Sequence, residues 1–202
     1  MISKEREYRS FKVECRQQEE GQEDYTVRGY ASTFEPYVIW EDDDGTVFSE
    51  VVDPEAFREA DMSDVIFLYN HEGMVYARQK NGTMKLSVDD HGLLVEADLS
   101  STTQSKELYE AIRSGLVDQM SFAFSVDTDE YERSTHTRTI RKFKKIYDVS
   151  AVSIPANPGT DISAVSARDY FHGVMEAEKA ERLEEQRQLE VAKAKYFYYG
   201  GK

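Results

Sequence analysis

Large and small side chains alternate through 120-MSFAFSV-126, with Phe122, Phe124 and Val126 on one face and Ser121, Ala123 and Ser125 on the other. A period of two is the signature of a β-strand. This strand keeps its second face small and opens it with a hydroxyl. Strand-like runs continue to about residue 165: FKVECRQ, YTVRGYASTF, TVFSEVV, VIFLYN, GTMKLSV, GLLVEADL, SFAFSV, RTIRKFKKIYDV and AVSIP. Turn signals separate them, namely EDDDG at 41–45, Asn81-Gly82 and 89-DDHG-92. Asn-Gly between apolar runs is a strong hairpin cue. The turn at 89–92 makes residues 83–98 read as two paired strands.

Two helical stretches interrupt the strands. Asp53-Pro54-Glu55 before AFREA offers a capping aspartate and a proline at the first helical position, which predicts a short helix. STTQSKELYEAIRSG places Leu108, Ala111 and Ile112 on one helical face, with Gly115 as a stop. From about residue 170, VMEAEKAERLEEQRQLEVAKAK is built from strong helix formers. Its apolar positions, Val174, Met175, Leu183, Leu189 and Val191, do not sustain a heptad. They predict an exposed terminal helix with a sparse docking stripe, and the aromatic, glycine-rich end KYFYYGGK reads as frayed or partner-bound. Strands and helices do not repeat as βαβ units. The expected fold is therefore β-rich α+β: a β-barrel or sandwich with a few helices around it over residues 1–168, then a helical C-terminal tail over 169–202.

Composition narrows the function classes. A hydrophobic fraction of 40% with 12% aromatics over 202 residues supports a real core. A net charge of -14 speaks against a duplex nucleic-acid binder, which needs a basic surface. A single cysteine, Cys15, rules out an internal disulfide framework and reads as a buried small hydrophobe. MISKEREYRS lacks the apolar centre of a signal peptide, and no run reaches membrane-spanning length, so no membrane partner is expected. The expectation is a soluble, cytosolic chain.

The chemistry-bearing residues reduce to few options. His71, His91, His136 and His172 show no pair at metal-ligand spacing, and Val75 breaks the His-Glu-x-x-His pattern that His71-Glu72 begins. No glycine-rich phosphate loop is present, and no Gly-x-Ser-x-Gly elbow. Neither a metal nor another cofactor is expected. Nucleophilic catalysis remains, which needs a hydroxyl or thiol, a base within reach, and a group to hold the base. His71 ends the apolar run VIFLYN, where a strand leaves the core and can face a groove; a solvated turn histidine is the competing reading. Ser121 opens the small face of its strand, although serines at strand starts are mostly inert. Asp148 stands between runs that look buried, where a carboxylate must be paired. A salt bridge to Arg141, Lys142, Lys144 or Lys145 would also account for it.

Taken in order, several blocks resemble the tailed-phage prohead (capsid maturation) proteases, relatives in fold of the herpesvirus assemblins. They are 28-RGYASTF-34, 50-EVVDPEAF-57, 70-NHEG-73, 82-GTMKLSVDDHGLLVEADLSST-102, 115-GLVDQMSFAFSV-126 and 147-YDVSAVSIPANPGTDISAV-165. The resemblance covers about Val27 to Val165. It implies an assemblin-like barrel in which His71 is the general base, Ser121 the nucleophile and Asp148 the orienting acid, with no cofactor. The family usually carries glutamate at that last position, and the shorter aspartate calls for a small backbone shift or a bridging water. Gly29 and Pro155-Ala156-Asn157-Pro158 match structural positions, and Arg78 reads as an exposed salt bridge rather than an oxyanion donor.

The implied function is serine endopeptidase action inside the immature capsid (prohead), in the host cytoplasm. The substrates would be the major capsid protein precursor or scaffold protein, and the enzyme itself. The tail would be a docking or self-cleaved segment; assemblin relatives are activated by dimerisation, but no self-complementary face can be read in this sequence, so self-association stays open. The alternative is a non-catalytic capsid-assembly or scaffold-binding module on the same fold, favoured only by aspartate in place of glutamate.

Overall fold

The described residues form ten strands: β1 (Glu7–Cys15), β2 (Thr26–Thr33), β3 (Tyr37–Glu41), β4 (Val47–Val52), β5 (Ile66–Tyr69), β6 (Glu72–Arg78), β7 (Met84–Val88), β8 (Gly92–Asp98), β9 (Gln119–Glu132) and β10 (Thr137–Val152). Two helices, α1 (Thr103–Arg113) and α2 (Ile162–Tyr199), complete the order. The computed structural model describes residues 6–15, 24–153 and 162–199. It divides into two compact units, Met1–Ser166 and Ala167–Lys202. The Pro155–Pro158 segment, the side chain of Cys15 and the end of KYFYYGGK lie outside the described residues.

The sheet runs β3-β4-β10-β9-β1-β2-β8-β7, with β5 on β10 and β6 on β5. The expected closed barrel is not what forms. β10 explains why. One edge of this 16-residue strand pairs antiparallel with β9 almost throughout, with register shifts on the way. Its other edge pairs in parallel first with β4, over Thr137–Ile140, and then with β5, over Asp148–Ala151. Among the described residues the sheet branches at β10 and does not close: β3, β7 and β6 each have a neighbour on one side only.

Between those two parallel ladders lies the segment expected to be a short helix. It forms successive tight turns instead. Asp53 caps as expected, its Oδ1 accepting the Glu55 N–H at 2.9 Å. The Ala56 carbonyl, however, accepts the Phe143 N–H of β10 at 3.0 Å, and Asp61 bridges to Lys145 and Ile146. Docking on β10 takes a carbonyl that helix propagation would need.

Asn81-Gly82 turns the chain, with Gly82 at φ +80, but makes no hairpin. β6 pairs with β5 and β7 with β8, the latter as expected around Asp89. The Asp89 Oδ1 there accepts the His91 and Gly92 amides at 2.8 and 3.1 Å. In α1 the Thr102 side chain accepts the Ser105 N–H at 3.0 Å, and Leu108, Tyr109 and Ile112 are buried, with Ala111 half-buried. Two strands escape the hydrophobic pattern, β3 and β6. β6 is exposed along most of its length, so it has no apolar face to read.

The bulky face of β9 enters the core. Phe122 and Phe124 stack at 4.7 Å and meet Phe143 at 6.0 and 5.0 Å. Phe143 in turn packs on Phe57 at 4.6 Å. Such aromatic contacts add about 0.5–1.5 kcal/mol each beyond the area buried. They hold β9 rigid while its small face points the other way. In the second unit, α2 carries spaced ion pairs such as Lys193–Glu190 at 3.7 Å, and Leu183, Leu189 and Val191 are exposed.

Candidate active site

β5 and β6 are joined by the two residues Asn70 and His71, at φ +52 and +59. Positive φ at both central positions is the geometry of a type I′ turn, which matches strand twist and favours Asn-Gly. Here histidine stands where glycine is preferred. A left-handed conformation costs a non-glycine residue on the order of 1 kcal/mol and persists only when its surroundings impose it. They do so through the end of β10. The Asn70 N–H donates to the Ala151 carbonyl at 2.9 Å. The Asn70 side-chain oxygen accepts from the Ser153 N–H at 3.0 Å and its hydroxyl at 3.2 Å. The His71 N–H donates to Ser150 Oγ at 3.2 Å.

Strand register brings the other two groups to the same place. Across the antiparallel ladder Ser150 of β10 lies opposite Ser121 of β9, and Asp148 opposite Ala123. Paired residues project to one face, so the small face of β9 and the carboxylate of β10 share one surface. His71 reaches onto it from the turn. Its Nε2 lies 2.8 Å from Ser121 Oγ and its Nδ1 lies 2.6 Å from Asp148 Oδ1. The contact to aspartate is direct. The ladder also shifts register between Ile146 and Asp148, a local backbone adjustment immediately before the acid.

Burial is graded along this chain of contacts. Ser121 is 2% exposed, and the Asp148 and His71 side chains 4% and 18%. Three of the four salt-bridge alternatives for Asp148 pair elsewhere: Arg141 with Asp53 and Glu130, Lys142 with Glu59, and Lys145 with Asp61. Arg78 pairs with Asp64, whose carboxyl that pairing lowers to about 2. His91 and His136 stand apart, against Tyr30 and Tyr131 respectively. Among the described residues no three His, Cys, Asp or Glu side chains gather as a metal site.

Two neighbours of His71 went unread in the sequence. The Tyr8 ring of β1 meets the imidazole edge-on at 4.6 Å. Nothing local to Tyr8 signals this, because it depends on β1 pairing with β9. Ser150 touches both His71 and Asp148. Its signal was present, since it stands two residues beyond Asp148 and so shares its face.

Behind the same strands lies a buried ionic cluster with no counterpart in the sequence reading. Glu7 and Arg9 lie opposite Phe124 and Phe122, on the bulky face of β9. Arg9 contacts Glu50 at 2.7 Å and Glu7 at 3.0 Å. Arg138, fully buried, reaches Glu7 and Asp129 at 2.6 Å and Glu50 at 3.0 Å. The Tyr37 hydroxyl donates to Glu50. Burial pushes Glu7 up, yet Arg138 and then Arg9 outweigh it and hold the carboxyl below its ordinary value of 4.5. Burial works against the charges on Arg9 and Arg138, and Glu50 leads the carboxylates that raise both. Burial, then Glu50, push the Tyr37 phenol well up.

A hydroxyl, an imidazole and a carboxylate in series on a β-rich α+β frame is the arrangement of the serine-hydrolase class. A family model described as caudovirus prohead serine protease matches residues 11–175, which contain all three groups. The chain belongs to that family. It is 27% identical over 154 residues to the prohead protease of Enterobacteria phage HK97. The match takes in 74% of this chain and 64% of that relative, so the chain spans less than two thirds of the relative's length. No solved structure gives a significant match.

Proposed function

We propose that the protein is a serine endopeptidase of capsid maturation, with Ser121 as nucleophile, His71 as general base and Asp148 as the orienting acid. The observation that carries this reading is the unbroken contact series Ser121 Oγ–His71 Nε2–His71 Nδ1–Asp148 Oδ1 at 2.8 and 2.6 Å. A serine hydroxyl attacks a peptide carbonyl only when a neutral imidazole accepts its proton. His71, protonated at Nδ1, presents its Nε2 lone pair to Ser121. It takes the proton as Oγ bonds to the carbonyl carbon, then gives it to the leaving amine. Water repeats the cycle on the acyl-enzyme. Asp148 fixes the tautomer and stabilises the imidazolium formed in between. General-base assistance of this kind contributes roughly 10²–10⁴-fold.

The substrates proposed are scaffold or capsid-precursor segments, cleaved inside the prohead in the host cytoplasm, and finally the chain itself. Residues 1–168 act as the protease, and 169–202 as a tail that docks or is removed. Incubating the wild-type chain and a Ser121→Ala variant with the cognate capsid precursor tests the reading. Cleavage by the wild type alone is expected, with the tail lost only there. Equal survival of the precursor with both refutes it. The non-catalytic alternative is favoured only by aspartate in place of glutamate, and the direct 2.6 Å contact of Asp148 with His71 supports the catalytic reading over it.

A further inference from the structure

We infer that Ser150 is a positioning residue that orients Asp148 so that the carboxylate holds His71 in its productive tautomer; this rests on the catalytic roles proposed above. Ser150 is fully buried, and its hydroxyl lies within reach of three groups. It accepts the His71 backbone N–H at 3.2 Å, donates to Asp148 Oδ1 at 3.0 Å, and lies 3.1 Å from His71 Nδ1. A serine hydroxyl has one proton to give. With that proton on Asp148, Nδ1 faces only acceptors, the carboxylate at 2.6 Å and the Ser150 oxygen at 3.1 Å. Nδ1 must then carry the one N–H proton of the neutral imidazole, which leaves Nε2 free to accept from Ser121. The opposite tautomer sets a lone pair against a buried carboxylate. To relieve it, Ser150 would have to turn its proton to Nδ1 and leave Asp148 without that donor. Buried acceptors stripped of donors are costly. The same oxygen anchors the backbone of His71, which is held at φ +59, so one side chain ties the turn to the acid.

The test uses a fluorophosphonate on the full-length chain, so no peptide substrate is required. Ser121 Oγ bonds to phosphorus, the P–F bond breaks, fluoride leaves and the hydroxyl proton passes to His71. Labelling is followed by intact mass and peptide mapping, and ¹⁵N shifts of His71 report its tautomer. Ser150→Ala and the near-isosteric, weakly donating Ser150→Cys are both expected to label Ser121 about 10–100-fold more slowly. Both are expected to shift the His71 Nδ1 and Nε2 signals away from the Nδ1–H tautomer. A structural role alone would lower the melting temperature without moving those signals, and that pattern overturns the inference. So does wild-type labelling by either variant. Absence of Ser121 labelling in the wild type is a different result, which sinks the nucleophile assignment itself.

Discussion

Arg138→Met removes the guanidinium on which the buried cluster depends. The wild-type side chain is fully buried and engages Glu7, Glu50 and Asp129 at 2.6–3.0 Å. Methionine fills much of the volume, so the main effect is electrostatic. Three carboxylates are left with Arg9 as the remaining cation of the set. Removing one partner of a buried ion pair costs about 3–5 kcal/mol, chiefly because the other charge stays buried and uncompensated. Against a total stability of about 5–15 kcal/mol the loss is large. It corresponds to a fall in melting temperature of about 6–20 °C for a chain of this size. Urea unfolding at pH 7 measures it, provided the slope with denaturant is unchanged.

The acid dependence gives a second, independent readout. In the wild type Glu7 is held below 4.5, so its contribution is fully present above that pH and fades as pH falls through the folded value. In the variant burial dominates, and protonating the stranded carboxylate relieves it. The gap between the two proteins should therefore be widest at neutral pH and narrow below pH 4.5. A loss under about 1 kcal/mol at pH 7, or a gap that does not change between pH 7 and pH 4, refutes the reasoning.

Three further outcomes are expected. Asp148→Asn keeps the size of the side chain but lets it donate to Nδ1, favouring the wrong tautomer; fluorophosphonate labelling of Ser121 should slow by about 10³–10⁴-fold, and labelling within tenfold of wild type would exclude Asp148 from that role. Gly92→Ala places a Cβ 1.9 Å from the Ser32 carbonyl oxygen, a backbone atom that cannot step aside, so differential scanning calorimetry should show a loss of about 3 kcal/mol. Glu7→Gln should flatten the decline of wild-type stability below pH 4.5, read from urea midpoints across the acid range; an unchanged slope would mean Glu7 does not carry the linkage.

Much of the frame was legible because it is local. The alternation in 120–126 shows its apolar face in any seven-residue window, and the capping and stop residues of α1 lie within a few positions of its ends. The helix expected at Pro54-Glu55 and AFREA shows the limit of such signals: the cap forms, but a carbonyl taken by Phe143, far along the chain, leaves the segment as tight turns. The barrel expectation fell for the same kind of reason, since only the tertiary pairing decides that β4 and β5 share one edge of β10. Asn81-Gly82 looked like the hairpin turn, yet the hairpin forms at Asn70-His71, where bonds to β10 hold an unfavourable residue in place.

By itself the sequence determined a β-rich chain of net charge -14 with a single cysteine, a strand with one small face, and three groups of the right chemistry in separate blocks. Those properties belong to neighbouring residues or to composition. Tertiary structure decided that Ser121, His71 and Asp148 meet within 2.8 Å, that Ser150 and Tyr8 contact the imidazole, and that Glu7 and Arg138 meet in the interior. These contacts join positions as far as 131 residues apart, set by strand register rather than by any local preference. A one-residue slip in register would turn each side chain to the opposite face, which is why local pattern alone could not place them.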